Sequence, residues 1–284
     1  MESEISVEGL KIKPVGQAPL IRWPGGKRAL VSKITEVFPL EYDNYYEPFF
    51  GGGALFFSMR PGAAYLSDLN SDLINAYVSV RDHPAELIEI LSSYENNAEF
   101  YYSVRASRPT NELHQSARLL YLTRLSFNGI YRVNLKGDFN VPYGKKTHQA
   151  AFDADKIFET SFALQGVSLT VSDFQKSTET ARGGDLVYFD PPYTVAHANN
   201  GFVKYNENIF SWADQVRLAE HARELAANGC FVAVSNADHP SVDSLYEGFN
   251  KIVIERFSVM AASSAFRRQI TECLYFLGGD SLDR

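Results

Sequence analysis

Cysteine is almost missing from this chain: there are two in 284 residues, Cys230 and Cys273. Each lies inside an apolar, strand-like run, so both are expected to be buried reduced thiols, with neither a disulfide framework nor a metal cluster. No metal site is expected. Long apolar runs are missing as well. None reaches the ~18 residues of a membrane span, and Met1-Glu2-Ser3-Glu4 has neither the basic nor the apolar region of a signal peptide. A cytoplasmic protein with no membrane partner is expected. There is no internal repeat and no low-complexity tract. Positive charge is in short supply, the net charge being −7 at pH 7. That argues against a nucleic-acid partner only in the total, because phosphates are met by a local basic face.

What is present is an ordinary soluble composition, 45% apolar and 21% charged, in a length that suits one large domain or a core domain with a smaller one. The chain is organised around the stretch Asp185 to Tyr193. Its apolar run, Leu186 to Phe189, reads as a buried strand that delivers a carboxylate, two prolines and an aromatic ring at its end. Prolines fix the backbone and cannot donate, so Asp190 and the Pro191 carbonyl make a pair of acceptors, and Tyr193 adds a flat face. Two acceptors beside a stacking ring suit an exocyclic amino group on a planar heterocycle. Taken alone, Asp190-Pro191-Pro192-Tyr193 reads equally well as a strand-terminating turn.

Upstream, Ile21 to Lys27 places a glycine pair and a lysine before residues with helical spacing, Leu30, Ile34, Val37 and Phe38. Backbone N–H groups and a cation suit a carboxylate or phosphate; a plain loop-to-helix junction explains them as well. Tyr45 to Phe57 reads as strand, glycine turn, helix, and Ala63 to Asn70 as a second strand ending at Asp68. In nucleotide-binding α/β folds an acid there bonds ribose hydroxyls. A pyrophosphate site wants Gly-x-Gly-x-x-Gly, whereas Gly51, Gly52 and Gly53 run straight into bulky residues. That favours a nucleoside-type ligand over a dinucleotide.

From Ser71 the pattern is helical through Leu91, and a second helix covers Glu112 to Ser126. Asn128-Gly129 and Lys136-Gly137-Asp138 are turn signals, so Phe127 to Lys146 is expected to be a loop and a β-hairpin. Between Tyr101 and His148 eight cations (Arg105, Arg108, Arg118, Arg124, Arg132, Lys136, Lys145, Lys146) face two acids, Glu112 and Asp138. Interleaved with Phe127, Tyr131, Phe139 and Tyr143, they fit a nucleic-acid surface; a solvated basic face beside an aromatic mini-core fits equally. A helix is expected over 149–165, strands over 167–171 and 230–235, a helix over 214–227 and an antiparallel pair over 251–259 and 269–277. The polar stretch Thr194 to Ser211 reads as a lid-like loop.

Six stretches now stand in one order: Trp23 to Lys27, Glu47 to Gly53, Asp68 to Asn70, Phe127 to Asn134, Phe139 to Gly144, and Asp190 to Tyr193. Together they resemble the signatures of the Dam-type DNA adenine-N6 methyltransferases, in the order of that family's alpha group, over nearly the whole chain. The resemblance implies a Rossmann-like S-adenosylmethionine-dependent α/β sheet with an inserted, mostly helical DNA-recognition domain that carries the hairpin. Its divisions would be 1–75 and 166–284 for the catalytic domain and 76–165 for recognition. It implies S-adenosylmethionine as cofactor, held by Trp23, Lys27, Phe50, Gly51, Gly53, Asp68, Asp173, Phe174 and Asp190, and catalysis by Asp190, Pro191 and Tyr193. It implies double-stranded DNA as partner, with an adenine swung out of the duplex. Phe127 would wedge into the stack, Asn128, Ile130 and Pro142 would touch bases, Arg132 would take a guanine, and Arg124, Lys145 and Lys146 would complete the DNA surface of a GATC reader. A monomer is expected. The stretch after Tyr193, Thr194 to Asn200, departs from the Pro-Leu-Ser start more usual in relatives.

Rival readings account for less. A dinucleotide oxidoreductase leaves the basic hairpin and Asp190 to Tyr193 without a purpose, and a non-catalytic DNA-binding module has no need of Trp23 to Lys27. RNA stays open as a substrate, since the acceptor pair reads an amino group and not a sugar.

Overall fold

Short, fully apolar segments make the centre of the molecule. A computed structural model describes residues 18–134, 136–195, 210–257 and 269–278. Among these, β1 (Tyr45–Glu47), β2 (Ala64–Asp68), β3 (Ser168–Val171), β4 (Leu186–Phe189), β5 (Phe231–Ala237), β6 (Asn250–Phe257) and β7 (Gln269–Leu277) form one sheet in the order β3-β2-β1-β4-β5-β7-β6. The first five strands are parallel, and β7 runs antiparallel to β5 and to β6. All four residues of β4 are buried, as befits a central parallel strand covered on both faces. The mixed α/β sheet and its antiparallel end pair agree with the expectation. Both cysteines are free and buried. Among the described residues no helix is long and apolar enough to cross a membrane.

Successive side chains of a strand point to opposite faces, and this alternation decides where the acids go. Tyr45, Leu66, Leu186, Tyr188, Leu274 and Phe276 pack into one core layer, while Tyr46, Val187, Phe189, Cys273 and Tyr275 pack into the other. Continuing each strand by two residues puts Glu47, Asp68, Asp190 and Glu272 on the first face. The carboxyl ends of the parallel strands lie level with the start of the antiparallel β7, where Glu272 pairs with Ala237, the last residue of β5. Four carboxyls therefore gather at one edge of one face. The strand order reverses between β1 and β4, and ligands of open α/β sheets bind in the crevice at such a point.

The helices depart from expectation at identifiable residues. The single helix expected from Ser71 to Leu91 is two, Ser71–Asp82 and Pro84–Ser92. Pro84 has no N–H to continue the ladder and drives His83 out of the helical region, to φ −135 and ψ 46. A helix at Ala98–Ala106, capped by the Asn97 side chain, went unread because its aromatic run looks strand-like. The expected helix over 149–165 shortens to Ala154–Ala163, started by the Asp153 cap, and that after Lys27 shrinks to Val31–Thr35. Trp212–Ala227 begins two residues before the expected start, on a capping box of Ser211 and Asp214. Residue 75, an expected domain edge, lies inside the helix Ser71–Asp82. The stretch 196–209 of the expected lid and Arg267 and Arg268 fall outside the described residues.

Candidate active site

Two of the gathered carboxyls face one ammonium. Lys27 Nζ lies 2.8 Å from Asp190 Oδ1 and 3.6 Å from Glu272 Oε2, and it donates to the Gly25 carbonyl at 2.9 Å. The contact with Asp190 is ionic and off the line of a hydrogen bond, so Oδ1 is buried without a hydrogen-bonded partner among the described residues. Tyr193 donates its phenol to Glu272 Oε2 at 2.9 Å, and the Lys27 ammonium stands 4.8 Å from the centre of the Tyr193 ring. Burial pushes Asp190 up to about 6; the Lys27 charge opposes this and the Glu272 charge adds to it. Glu47, at the end of β1, rises to about 8 through burial, against the hydrogen bond from Tyr45 and with the help of the Asp190 charge. At neutral pH Glu47 is therefore protonated and Asp190 ionised.

The loop after β4 is fixed from behind. Gln215, wholly buried in the helix Trp212–Ala227, donates to the Pro192 carbonyl at 3.1 Å and accepts from the equally buried Asn236 at 2.9 Å. Thr194 closes the loop by donating to the Phe210 carbonyl at 2.7 Å. A buried amide must be paired, so this relay holds the two prolines in one place.

Beside the acids lies the glycine turn. Gly51 sits at φ +49, and a Cβ there would come 2.9 Å from Trp23 Cδ1, so the indole lies directly on the turn. Asp68 accepts from Gly51 N–H at 3.0 Å and from Asn70 N–H at 2.9 Å; burial raises its pKa while these N–H groups hold it down. An acid beside a glycine turn and an aromatic wall fits a nucleoside with a cationic tail. Phe50 itself is a core side chain, 2% exposed and packed on Phe56, Phe57 and Tyr77, so only its backbone faces the turn. Asp173 caps the helix Phe174–Ser177 and pairs with Arg217 at 2.9 Å. Phe174 is 2% exposed under the Arg217 guanidinium, in an aromatic layer with Phe49, Phe189 and Phe210.

The sequence profile of the D12 class N6 adenine-specific DNA methyltransferases matches residues 23–260. The chain belongs to that family. It is 39% identical over 275 residues to the type II methyltransferase M1.LlaDCHI of Lactococcus lactis subsp. cremoris, covering 93% of this chain and 97% of that protein. It is 36% identical over 264 residues to the type II methyltransferase M.MjaIII of Methanocaldococcus jannaschii, with 84% and 91% covered. With the DNA adenine methylase of Haemophilus influenzae it shares 32% identity over 249 residues, 84% of this chain and 86% of that one.

In this adenine-specific methyltransferase the basic stretch is partly structural. Arg105 donates to the Val141 carbonyl, Arg118 to the carbonyls of Val104 and Arg105, Arg124 to that of Ala150 and Lys146 to that of Arg124. Arg108 pairs with Asp138. Burial, then the charges of Arg22 and Arg124, lowers the Lys146 pKa. The exposed set is smaller: Phe127, Asn128, Arg132, Pro142 and Lys145, while Ile130 is half-buried. Phe127 N–H donates to the Pro142 carbonyl at 2.8 Å, Ser126 bridges Tyr143 and Val133 bridges Phe139, so these side chains share one surface. Asn128 sits in the left-handed region at φ 57. Arg132 Nε donates to Asn140 at 2.8 Å. The Trp23 ring stacks on Tyr131 with centroids 4.4 Å apart, and Arg22 lies against Gly129, which joins the glycine turn to the exposed loop.

Sequence reasoning missed Glu272, Gln215, Asn236 and the stacking of Tyr131. Only Glu272 had a readable signal: a carboxyl two and four residues before inward-facing Leu274 and Phe276. Away from this site, Asp238, Asp243 and Cys273 bring three potential ligand atoms within 4.8 Å. The Lys251 ammonium lies 3.1 Å from Asp238 and 2.6 Å from Asp243 and supplies their positive charge.

Proposed function

We propose that this protein transfers a methyl group from S-adenosylmethionine to N6 of an adenine rotated out of double-stranded DNA, within GATC. What carries the reading is the ionised, nearly buried Asp190 at the crevice, whose Oδ1 meets Lys27 as an ion pair and takes no hydrogen bond among the described residues. Asp68, the Gly51 to Gly53 turn and the Trp23 wall would hold the cofactor, with Lys27, the Phe50 backbone, Asp173 and Phe174 bordering it. When bound, S-adenosylmethionine supplies an electrophilic methyl group on a sulfonium.

The adenine amine is a weak nucleophile because its lone pair is spread into the ring. Asp190 and the Pro191 carbonyl accept its two N–H groups and draw the nitrogen towards a pyramid, while Tyr193 supports the ring in line with the methyl. In the proposed transfer the methyl carbon would leave sulfur for N6, the ionised Asp190 would steady the amine as it becomes positive, and the surplus proton would pass to water. No covalent nucleophile is required. The helical stretch between β2 and β3 and its loop would be the recognition part: Phe127 wedges into the stack, Asn128, Ile130 and Pro142 touch bases, Arg132 reads a guanine, and Arg124, Lys145 and Lys146 add charge towards phosphates. Incubation with tritiated S-adenosylmethionine and plasmid DNA, followed by mapping of modified bases, tests this. N6-methyladenine confined to GATC is expected; unmodified DNA overturns the activity, and another site overturns the specificity alone.

A further inference from the structure

Glu272 comes from β7, 82 positions along the chain from Asp190, yet both acids reach the same ammonium. Its side chain is 4% exposed, a costly place for a carboxyl that only terminates a strand. One oxygen, Oε2, takes the Tyr193 phenol at 2.9 Å and lies 3.6 Å from Lys27 Nζ. Lys27 holds Asp190 Oδ1 at 2.8 Å instead. A substrate amine would donate to that same oxygen, so it competes with the ammonium for it. For Asp190 to serve the amine, Lys27 has to withdraw, and a buried ammonium withdraws only towards another acceptor. Closing the 3.6 Å gap to Glu272 needs no more than a small turn of a flexible side chain.

Resting on the methyl-transfer reading of this site, we propose that Glu272 is a positioning residue for that reaction: it receives the Lys27 ammonium when the target amine takes Asp190, and it anchors Tyr193 by the phenol. Asp190 is faced by Lys27 from the loop before Val31–Thr35, by Glu47 from β1, by Glu272 from β7, and by Tyr188 and Tyr193 from its own segment. Glu272→Gln keeps an oxygen for the phenol but removes the charge that draws Lys27 away. It also removes a neighbour that raises the Asp190 pKa, so the acidic limb of the rate profile moves to lower pH.

Two measurements test this. Single-turnover methylation is followed from pH 5 to 8.5 for the wild type and Glu272→Gln. The expected result is a variant at least about tenfold slower at pH 7.5 with its acidic limb displaced downwards. A rate within about twofold of wild type, or a slower rate on an unmoved limb, overturns the proposal. The second uses the wild-type protein, so it does not depend on the variant folding: a crystal structure with sinefungin and a DNA duplex bearing the methylated site. Lys27 Nζ within about 3.2 Å of Glu272, with the adenine amine on Asp190, is expected; Lys27 still on Asp190 beside a bound adenine overturns it. A wild-type protein that methylates no DNA refutes the parent reading instead, a separate result.

Discussion

Replacing Asp190 by Asn should make the protein more stable with rising pH while it loses its activity. The carboxyl climbs from 3.8 to about 6 in the fold, with burial as the largest cause. Between those pH values the folded protein binds more protons than the unfolded chain, so wild-type stability falls as pH rises through this window. Once Asp190 is fully ionised the loss amounts to about 3 kcal/mol. Asparagine copies the neutral acid in shape and cannot ionise. Relative to wild type, Asp190→Asn should therefore gain about 2–3 kcal/mol between pH 4 and pH 7.5, or about 4–10 °C in melting temperature for a chain of this size. Scanning fluorimetry of both proteins in matched buffers from pH 4 to 8 reads the difference directly. Methyl transfer by the same variant should drop by about 10²–10³-fold, because an amide oxygen is a weaker acceptor for a developing cation. A stability difference that stays constant with pH, or that turns against the variant as pH rises, would show that Lys27 fully offsets burial and that the acid carries no strain.

Arg132→Ala should weaken discrimination at one guanine by about 1–3 kcal/mol; long-read mapping that returns the wild-type pattern removes it from the recognition set. Lys145 and Lys146 should part company. Exposed Lys145→Ala lowers the salt slope of DNA binding by about 1, whereas Lys146→Ala lowers the melting temperature because its ammonium bonds the Arg124 carbonyl; equal effects of both on both measurements contradict the assignment. Gln215→Leu strips the donor from the Pro192 carbonyl and the acceptor from the Asn236 amide N–H, which should cost about 1–3 kcal/mol and slow transfer, and an unchanged melting temperature counts against the relay.

The parts of the site that one strand and its turn deliver were legible in the sequence. Leu186 to Phe189 announced a buried strand, so the position of Asp190 followed from local pattern, as did the Gly51 turn and Asp68 at the end of β2. What stayed hidden depends on contacts between distant segments. Gln215 reads as one more polar residue of an amphipathic helix until the Pro192 carbonyl is found beneath it. The eight cations of the basic stretch looked alike in sequence, and only packing separates half-buried Arg118, bonded to the end of Ala98–Ala106, from exposed Arg132. Ala98–Ala106 escaped for a different reason: its aromatic residues favour strands, and packing against Glu112–Leu125 overrides that preference.

The electrostatics of the site point to the kind of ligand it prefers. With Glu47 protonated at pH 7, Asp190 and Glu272 share one ammonium among the described residues, that of Lys27, and negative charge is in surplus in a crevice closed to most water. Such a charge is poorly solvated and lowers its energy by taking up a cation. The sulfonium of the proposed donor would bring that charge, and the thioether left after transfer would not. On that proposal the site would hold the donor more firmly than the product.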